Sequence, residues 1–320
     1  QASLVRTAIQ KGGLDDLERI RVAVEASGAL AYTAKLAREH ADQAIACLDA
    51  LPGNAYRDAL IPVLPGTLAD LHQFRDIEER TGSVDAHTLS EAFSHDPLMT
   101  LDVLKRVARH CRSSGAEPPE TLVGAIVMLG IGPFFRAYEQ PVSILDWLHE
   151  HPAATSGLLK VITRGRRASR FAVNFALRRQ DEDALIIQEA ALLHDFAEML
   201  MWCHAPALMQ QVSDQLNADH RLRSKDVQQD VLGISLDDLA IQLMQQWSLP
   251  PLLIECTDDR LAHHPRIRTT TLAVRLARHS QHGWDDPHAQ AAWPDDIADV
   301  AALINLSKDA TWRLIQDIDG

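Results

Sequence analysis

The sequence predicts an all-α fold, and three observations carry that expectation. Apolar residues recur at helical spacing, most plainly at Leu236, Leu239, Ala240, Leu243, Met244 and Trp247, which fall at i, i+3, i+4, i+7, i+8 and i+11. Glycine and proline stand between such stretches, where helices stop. No stretch alternates apolar and polar residues long enough to read as a strand.

Taken in order, Leu4–Ile9, Leu14–Ala26 and Ala29–Leu51 are helical in pattern, punctuated by Gly12-Gly13, Gly28 and Pro52-Gly53. From Ile61 the register changes. IPVLPGTLADLHQF opens with prolines and a turn before a helix. Asp96 is the expected N-cap of a helix with Pro97 in its first position, carrying Leu101, Leu104, Val107 and Ala108 as its buried stripe. ETLVGAIVMLGIGPFF and SILDWLHEH supply further helices, followed by 155–179 and 182–203 with RRQDED between them. The next helix holds His204 and His220 at its ends. Ser235 with Asp238 forms a capping-box variant at the head of the clean stripe, and Pro250-Pro251 ends it. Another helix runs to His263-His264-Pro265 and a basic one spans Ile267 to His279. A Trp/Asp/Pro loop (His282 to Pro294) precedes two closing helices.

With 320 residues, 46% of them hydrophobic and 23% charged, the composition is that of a soluble globular protein. Its net charge of −13 repels a phosphate backbone, so nucleic acid is disfavoured as a partner. The cluster Arg164, Arg166, Arg167 and Arg170 reads as a solvated helix start rather than a binding patch. Cys47, Cys111, Cys203 and Cys256 form no C-x-x-C pair and read as reduced thiols. No apolar run approaches the ~18–20 residues of a membrane span, and no signal-peptide pattern opens the chain. The expectation is a cytoplasmic protein with no membrane contact and no cofactor. Because Gln1 stands where Met would, the sequence reads as a fragment or a processed product.

The segment ASGALAYTAKLAREHADQAIACLDALPGNAYRDAL resembles the C-terminal tail of an octaprenyl-type polyprenyl diphosphate synthase, over about residues 3–60. That family's aspartate-rich catalytic motifs lie upstream of this tail. An Asp-Asp-x-x-Asp occurs here only at Asp295, Asp296 and Asp299, where it reads as N-cap acids facing a helix dipole. The tail therefore brings helices without chemistry, through a natural fusion or a reading-frame accident at Ile61.

IPVLP-x-T, DPLMT-x-x-VL, GAI-x-x-LG, ALLHD and the Gly233-to-Pro250 pattern, followed by HHP, are together similar to the HDOD family over about residues 60–275. The resemblance implies an all-helical, multi-helical HD-like bundle with the N-terminal helical segment attached. It divides the chain into 1–60, a 61–275 HDOD domain, and 276–320 as C-terminal helices packed on it. It also implies a bacterial signalling module, regarded as having lost the HD hydrolases' activity and acting through protein contacts. Departures from the hydrolase pattern agree with that loss. No histidine lies between His151 and His194; RRASRFAVNFALRR offers no first ligand; Ala197 and Glu198 replace a Gly-Lys. Leu236 stands where many relatives keep a histidine, and Ala108-Arg109 replace an Asn-Ser.

The functional question turns on His194 and Asp195, within AALLHDFAEMLMW. That segment is apolar on every side, so it reads as a central helix whose two polar residues must find partners. A catalytic metal needs at least three protein ligands and an open position. His194 and Asp195 are thus read as a structural pair and remain only weak metal candidates; no catalytic residue is assigned. His263 and His264 read as a solvated helix end and a candidate interaction surface, and His204 and His220 as surface residues. The leading reading is a non-catalytic regulatory output module that binds an unknown protein partner, with room for a small regulatory ligand. The alternatives are a metal-dependent HD-type phosphohydrolase and, suggested by the tail alone, a polyprenyl diphosphate synthase.

Overall fold

The computed structural model describes residues 61–219 and 221–319, so the tail of residues 1–60, with Cys47, and His220 lie outside the described residues. Within that span regular structure is helical. Extended pairing is confined to one bridge, where Val63 N–H donates to Val142 O and Ile144 N–H to Val63 O, both at 2.9 Å.

Helices α1 (Pro65–Thr81), α2 (Ala86–Phe93), α3 (Pro97–Ser114), α4 (Leu122–Leu129), α5 (Ile131–Ala137) and the single turn α6 (Ile144–Trp147) form the first layer. Asp96 holds its entrance together. Its Oδ1 accepts from Leu98 N–H (2.9 Å) and Met99 N–H (3.1 Å), capping α3 as the sequence implies. Its Oδ2 takes Leu64 N–H (2.8 Å) and the Thr67 hydroxyl (2.7 Å), so a carboxylate only 1% exposed is fully partnered. Arg75 on α1 reaches across to the α5 end, donating to the carbonyls of Phe135, Tyr138 and Glu139.

The 27-residue α7 (Pro152–Arg178) is the spine. Its first half puts Leu158, Val161 and Ile162 into a core shared with α3, α4 and α9, while Ala168, Phe171, Ala172 and Phe175 feed a second core. Against it lie α8 (Ala184–Leu193) and α9 (Phe196–His204). The helix expected over 182–203 is therefore broken. His194 keeps helical dihedrals (φ −51°, ψ −42°), but Asp195 leaves them (φ −98°, ψ 21°). Apolar periodicity cannot register such a break, because both halves are buried on every side.

Next come α10 (Pro206–Ala218), α11 (Ser224–Leu232), α12 (Leu236–Gln246), α13 (Pro251–Thr257), a 3-10 turn at Asp259–Leu261, and α14 (Pro265–His279). The Ser235 box closes α12: its hydroxyl accepts from Asp238 N–H (3.2 Å) and donates to Asp238 Oδ2 (2.7 Å). α15 (Pro287–Ile304) and α16 (Lys308–Asp319) close the chain against α14 and α7, around Leu272, Val300, Ile304 and Ile315.

Two further expectations are corrected in this region. The loop expected from His282 to Pro294 ends at Asp286: α15 begins at Pro287, where Asp286 Oδ1 accepts from Ala289 N–H (3.2 Å), and it runs through Pro294. Asp295, Asp296 and Asp299 are consequently mid-helix residues rather than N-cap acids. Asp296, 4% exposed, pairs with His279 Nδ1 at 2.6 Å and Arg275 Nε at 2.9 Å, and Asp299 pairs with Arg275 Nη2 at 2.6 Å. Among the described residues Cys111, Cys203 and Cys256 are buried free thiols, and no helix is long and apolar enough to cross a membrane.

Candidate functional site

Asp195 and its neighbours sit where α7, α8, α9 and α14 meet, and a close helix crossing brings them together. A Cβ on Gly165 would come within 2.9 Å of the Leu192 carbonyl oxygen, so only glycine allows α7 to approach the end of α8 this nearly. That approach sets Arg164, the residue before it, beside the α8–α9 break.

Arg164 Nε donates to Asp195 Oδ2 at 2.7 Å, and its Nη2 reaches Glu198 Oε2 at 2.6 Å. From the other side Arg278 Nη2 donates to Asp195 Oδ1 at 2.5 Å. The His194 ring lies 3.2 Å from Asp195 Oδ1 through Nδ1 and 3.3 Å from Asp259 Oδ1 through Nε2. Thr271 supplies Asp259 with a hydroxyl hydrogen bond at 3.0 Å. Both Asp195 oxygens are thus engaged, Oδ2 by Arg164 and Oδ1 by Arg278 and His194.

The charges follow from this geometry. Burial by itself would raise the Asp195 carboxyl, but the guanidinium groups of Arg164 and Arg278 hold it well below the usual carboxylate range. Burial opposes protonation of His194 too, yet the Asp195 and Asp259 carboxylates overcome it and lift the imidazole to about 9. His194 is therefore an imidazolium at neutral pH, with both ring nitrogens donating. Arg278 Nη2, 3.5 Å from Nδ1, is then a neighbouring cation rather than a hydrogen-bond donor to the ring. Three cations and three carboxylates (Asp195, Glu198, Asp259) close a neutral cluster.

This donor set does not fit a divalent metal. Both ring nitrogens of His194 are already engaged, by Asp195 at 3.2 Å and Asp259 at 3.3 Å. On α7 the residue that faces Asp195 is Arg164, which is no metal ligand. Among the described residues no three His, Cys, Asp or Glu side chains are placed to share a metal ion.

Arg164, Arg278 and Asp259 are the site residues that sequence reasoning missed. The arginine cluster on α7 is no solvated helix start: Arg164 and Arg167 side chains are 13% and 14% exposed. Arg167 pairs with Asp319 (Nη2–Oδ2, 2.6 Å) and donates to the Ser280 carbonyl (2.9 Å), fastening α16 and α14 to the spine. Arg166 Nε reaches the His95 carbonyl at 2.6 Å, and Arg166 and Arg170 are the two of the four that remain exposed. The usable signal was spacing: Arg164 lies three residues beyond Val161 and four before Ala168, on a face that the apolar pattern marks as buried.

His204 is not a surface residue. It ends α9, half-buried edge-to-face on Trp147 at 5.8 Å, and burial depresses its pKa. His263 and His264 are exposed, their rings 4.2 Å apart at the start of α14.

An all-helical bundle in which a buried His-Asp pair interrupts one central helix defines an HD-like protein. The HDOD domain profile matches residues 61–264, and the chain belongs to the HDOD family. The fold is similar to that of the MmoQ response regulator from Methylococcus capsulatus strain Bath, at TM-score 0.56 and 19% identity over 80% of this chain and 98% of that one. It is similar also to a virulence factor from Campylobacter jejuni, at TM-score 0.59 and 18% identity over 86% and 92% of the two chains. At these identities the likeness speaks for the fold. The octaprenyl diphosphate synthase of Escherichia coli K12 is 47% identical over 62 residues, 19% of this chain and 19% of that enzyme. The chain thus spans about a fifth of that curated relative's length.

Proposed function

We propose that this chain is a non-catalytic regulatory output module of a bacterial signalling system, working in the cytoplasm through contact with a protein partner. One observation carries the reading: Asp195, the carboxylate a metal centre would need, is clamped between Arg164 and Arg278 at 2.7 and 2.5 Å. In this reading the His194–Asp195 pair is structural, tying α8 and α9 to α7 and α14. Residues 61–275 form the HDOD domain, 276–320 brace it, and exposed His263 and His264 belong to the contacting face. The synthase-like segment adds no transferase chemistry. The test uses the full chain as bait in a bacterial lysate, with and without a chelator. A stoichiometric protein partner retained under both conditions is expected. Manganese-dependent hydrolysis of phosphate esters, abolished by Asp195→Ala, would overturn the reading.

A further inference from the structure

A cavity of about 650 Å³ opens beside the clamp, between α7, α9, α10, α11, α12 and α14. Its size is that of a small-molecule site, for which ~300–1,000 Å³ is usual. Four permanent cations line it, Lys160, Arg164, Lys225 and Arg278, against the carboxylates Glu198 and Asp237. Behind this wall Asp195, Asp259 and protonated His194 add one further negative charge, so the site stays cationic in a chain that carries −13.

Two of the cations are already matched. Arg164 holds Glu198 at 2.6 Å and Lys225 holds Asp237 at 2.9 Å. Lys160, exposed on α7, makes no ion pair among the described residues, and Arg278 bonds Asp195 through one nitrogen while its side chain remains 38% exposed. The rest of the lining is rich in neutral hydrogen-bonding groups, among them Ser156, Gln210, Ser213, Asn217 and Gln228.

Trp202 shapes one wall of the cavity. Its ring is packed so hard on α7 that a Cβ on Gly157 would meet it at 2.5 Å, which fixes the indole in the cavity wall. The residue is only 5% exposed and its Nε1 is buried, so the indole gives the site shape rather than a hydrogen-bond donor.

We propose that this cavity is a binding site for a small phosphate ester, its phosphate set against Lys160 and Arg278 and its hydroxyl groups against the amide and hydroxyl rim. A monoester carries roughly −1.5 to −2 at neutral pH and several acceptor oxygens, which suits grouped ammonium and guanidinium donors better than one carboxylate would. The site does not depend on the partner-binding reading. It would, however, give that module an input, because an anion on Arg278 competes with Asp195 for the same guanidinium.

Glycerol 3-phosphate is the probe, titrated into the full chain by calorimetry, with sodium sulfate at equal ionic strength as the control. Saturable one-site binding is expected, weakened at least tenfold in Lys160→Gln and in Arg278→Gln. Both variants are first shown by thermal unfolding to keep the fold. Absence of saturable heat at millimolar probe, sulfate binding as tight as the ester, or unchanged affinity in both variants would overturn the proposal.

Discussion

Replacing Asp195 with alanine removes the one carboxylate that Arg164, Arg278 and His194 share. Arg164, 13% exposed, is left with Glu198 alone, and the imidazolium of His194 with the partly exposed Asp259. Stranding a buried charge by deleting its partner costs about 3–5 kcal/mol, well above the ~1–3 kcal/mol of a lost neutral hydrogen bond. Arg278 is 38% exposed, so water screens part of its loss and the lower end of that range applies, about 3 kcal/mol. For a domain of this size that corresponds to a fall in Tm of roughly 6–12 °C. Urea unfolding followed by circular dichroism at neutral pH measures it, with Asp195→Ala/Arg164→Met as the companion variant. Removing the stranded guanidinium should restore part of the loss. A single-variant loss under ~1 kcal/mol, or a double variant worse than the single by the full cost of Arg164→Met, would refute the reasoning.

Further predictions concern pH and packing. The pKa of His194 is raised from 6.5 to about 9, so its contribution to stability is full below 6.5 and is lost as pH rises through 9. Glu189, which burial raises from 4.5 to about 8 against the Leu122 N–H it accepts, contributes fully below 4.5 and loses that contribution as pH rises through 8. Asp195 works in the other direction, its contribution present above 3.8 and lost as pH falls through its depressed folded value. Stability should therefore decline between pH 6.5 and 9, and a His194→Gln variant should show a flatter profile there; identical slopes would contradict the assignment. Gly165→Ala would gain about 1 kcal/mol in an open helix. Here its Cβ meets Leu192 O at 2.9 Å, so a loss of ~1–3 kcal/mol is expected from overpacking, and a more stable variant would count against the crossing geometry.

The contrast between what the sequence discloses and what it hides follows the range of the interactions. Asp96 with Pro97, and Ser235 with Asp238, act within one helical turn, and both caps form where their spacing implies. The all-α class likewise follows from short-range periodicity, and the burial of His194 and Asp195 from the apolar residues around them. Their partners stand far off in sequence: Arg164 lies 31 residues from Asp195, Arg278 lies 83, and Asp259 lies 65 from His194. No spacing rule connects ion pairs across such separations. Charge density alone placed the α7 arginines in solvent, whereas their position on the Val161–Ala168–Phe171 face places two of them inside. Asp296 was hidden by Pro294, a residue that normally ends a helix but here lies within one.

In the proposed function the buried pair serves the arginine clamp and not a metal. Thermal unfolding of the full chain, purified without chelator and measured with and without saturating manganese or iron, tests it most directly. A native-state ligand stabilises by RT ln(1 + [L]/Kd), about 2.7 kcal/mol at a hundredfold excess over Kd, so a true site would announce itself as a rise of several degrees. No rise and no stoichiometric metal by elemental analysis are expected. A rise of several degrees that Asp195→Ala abolishes would contradict it.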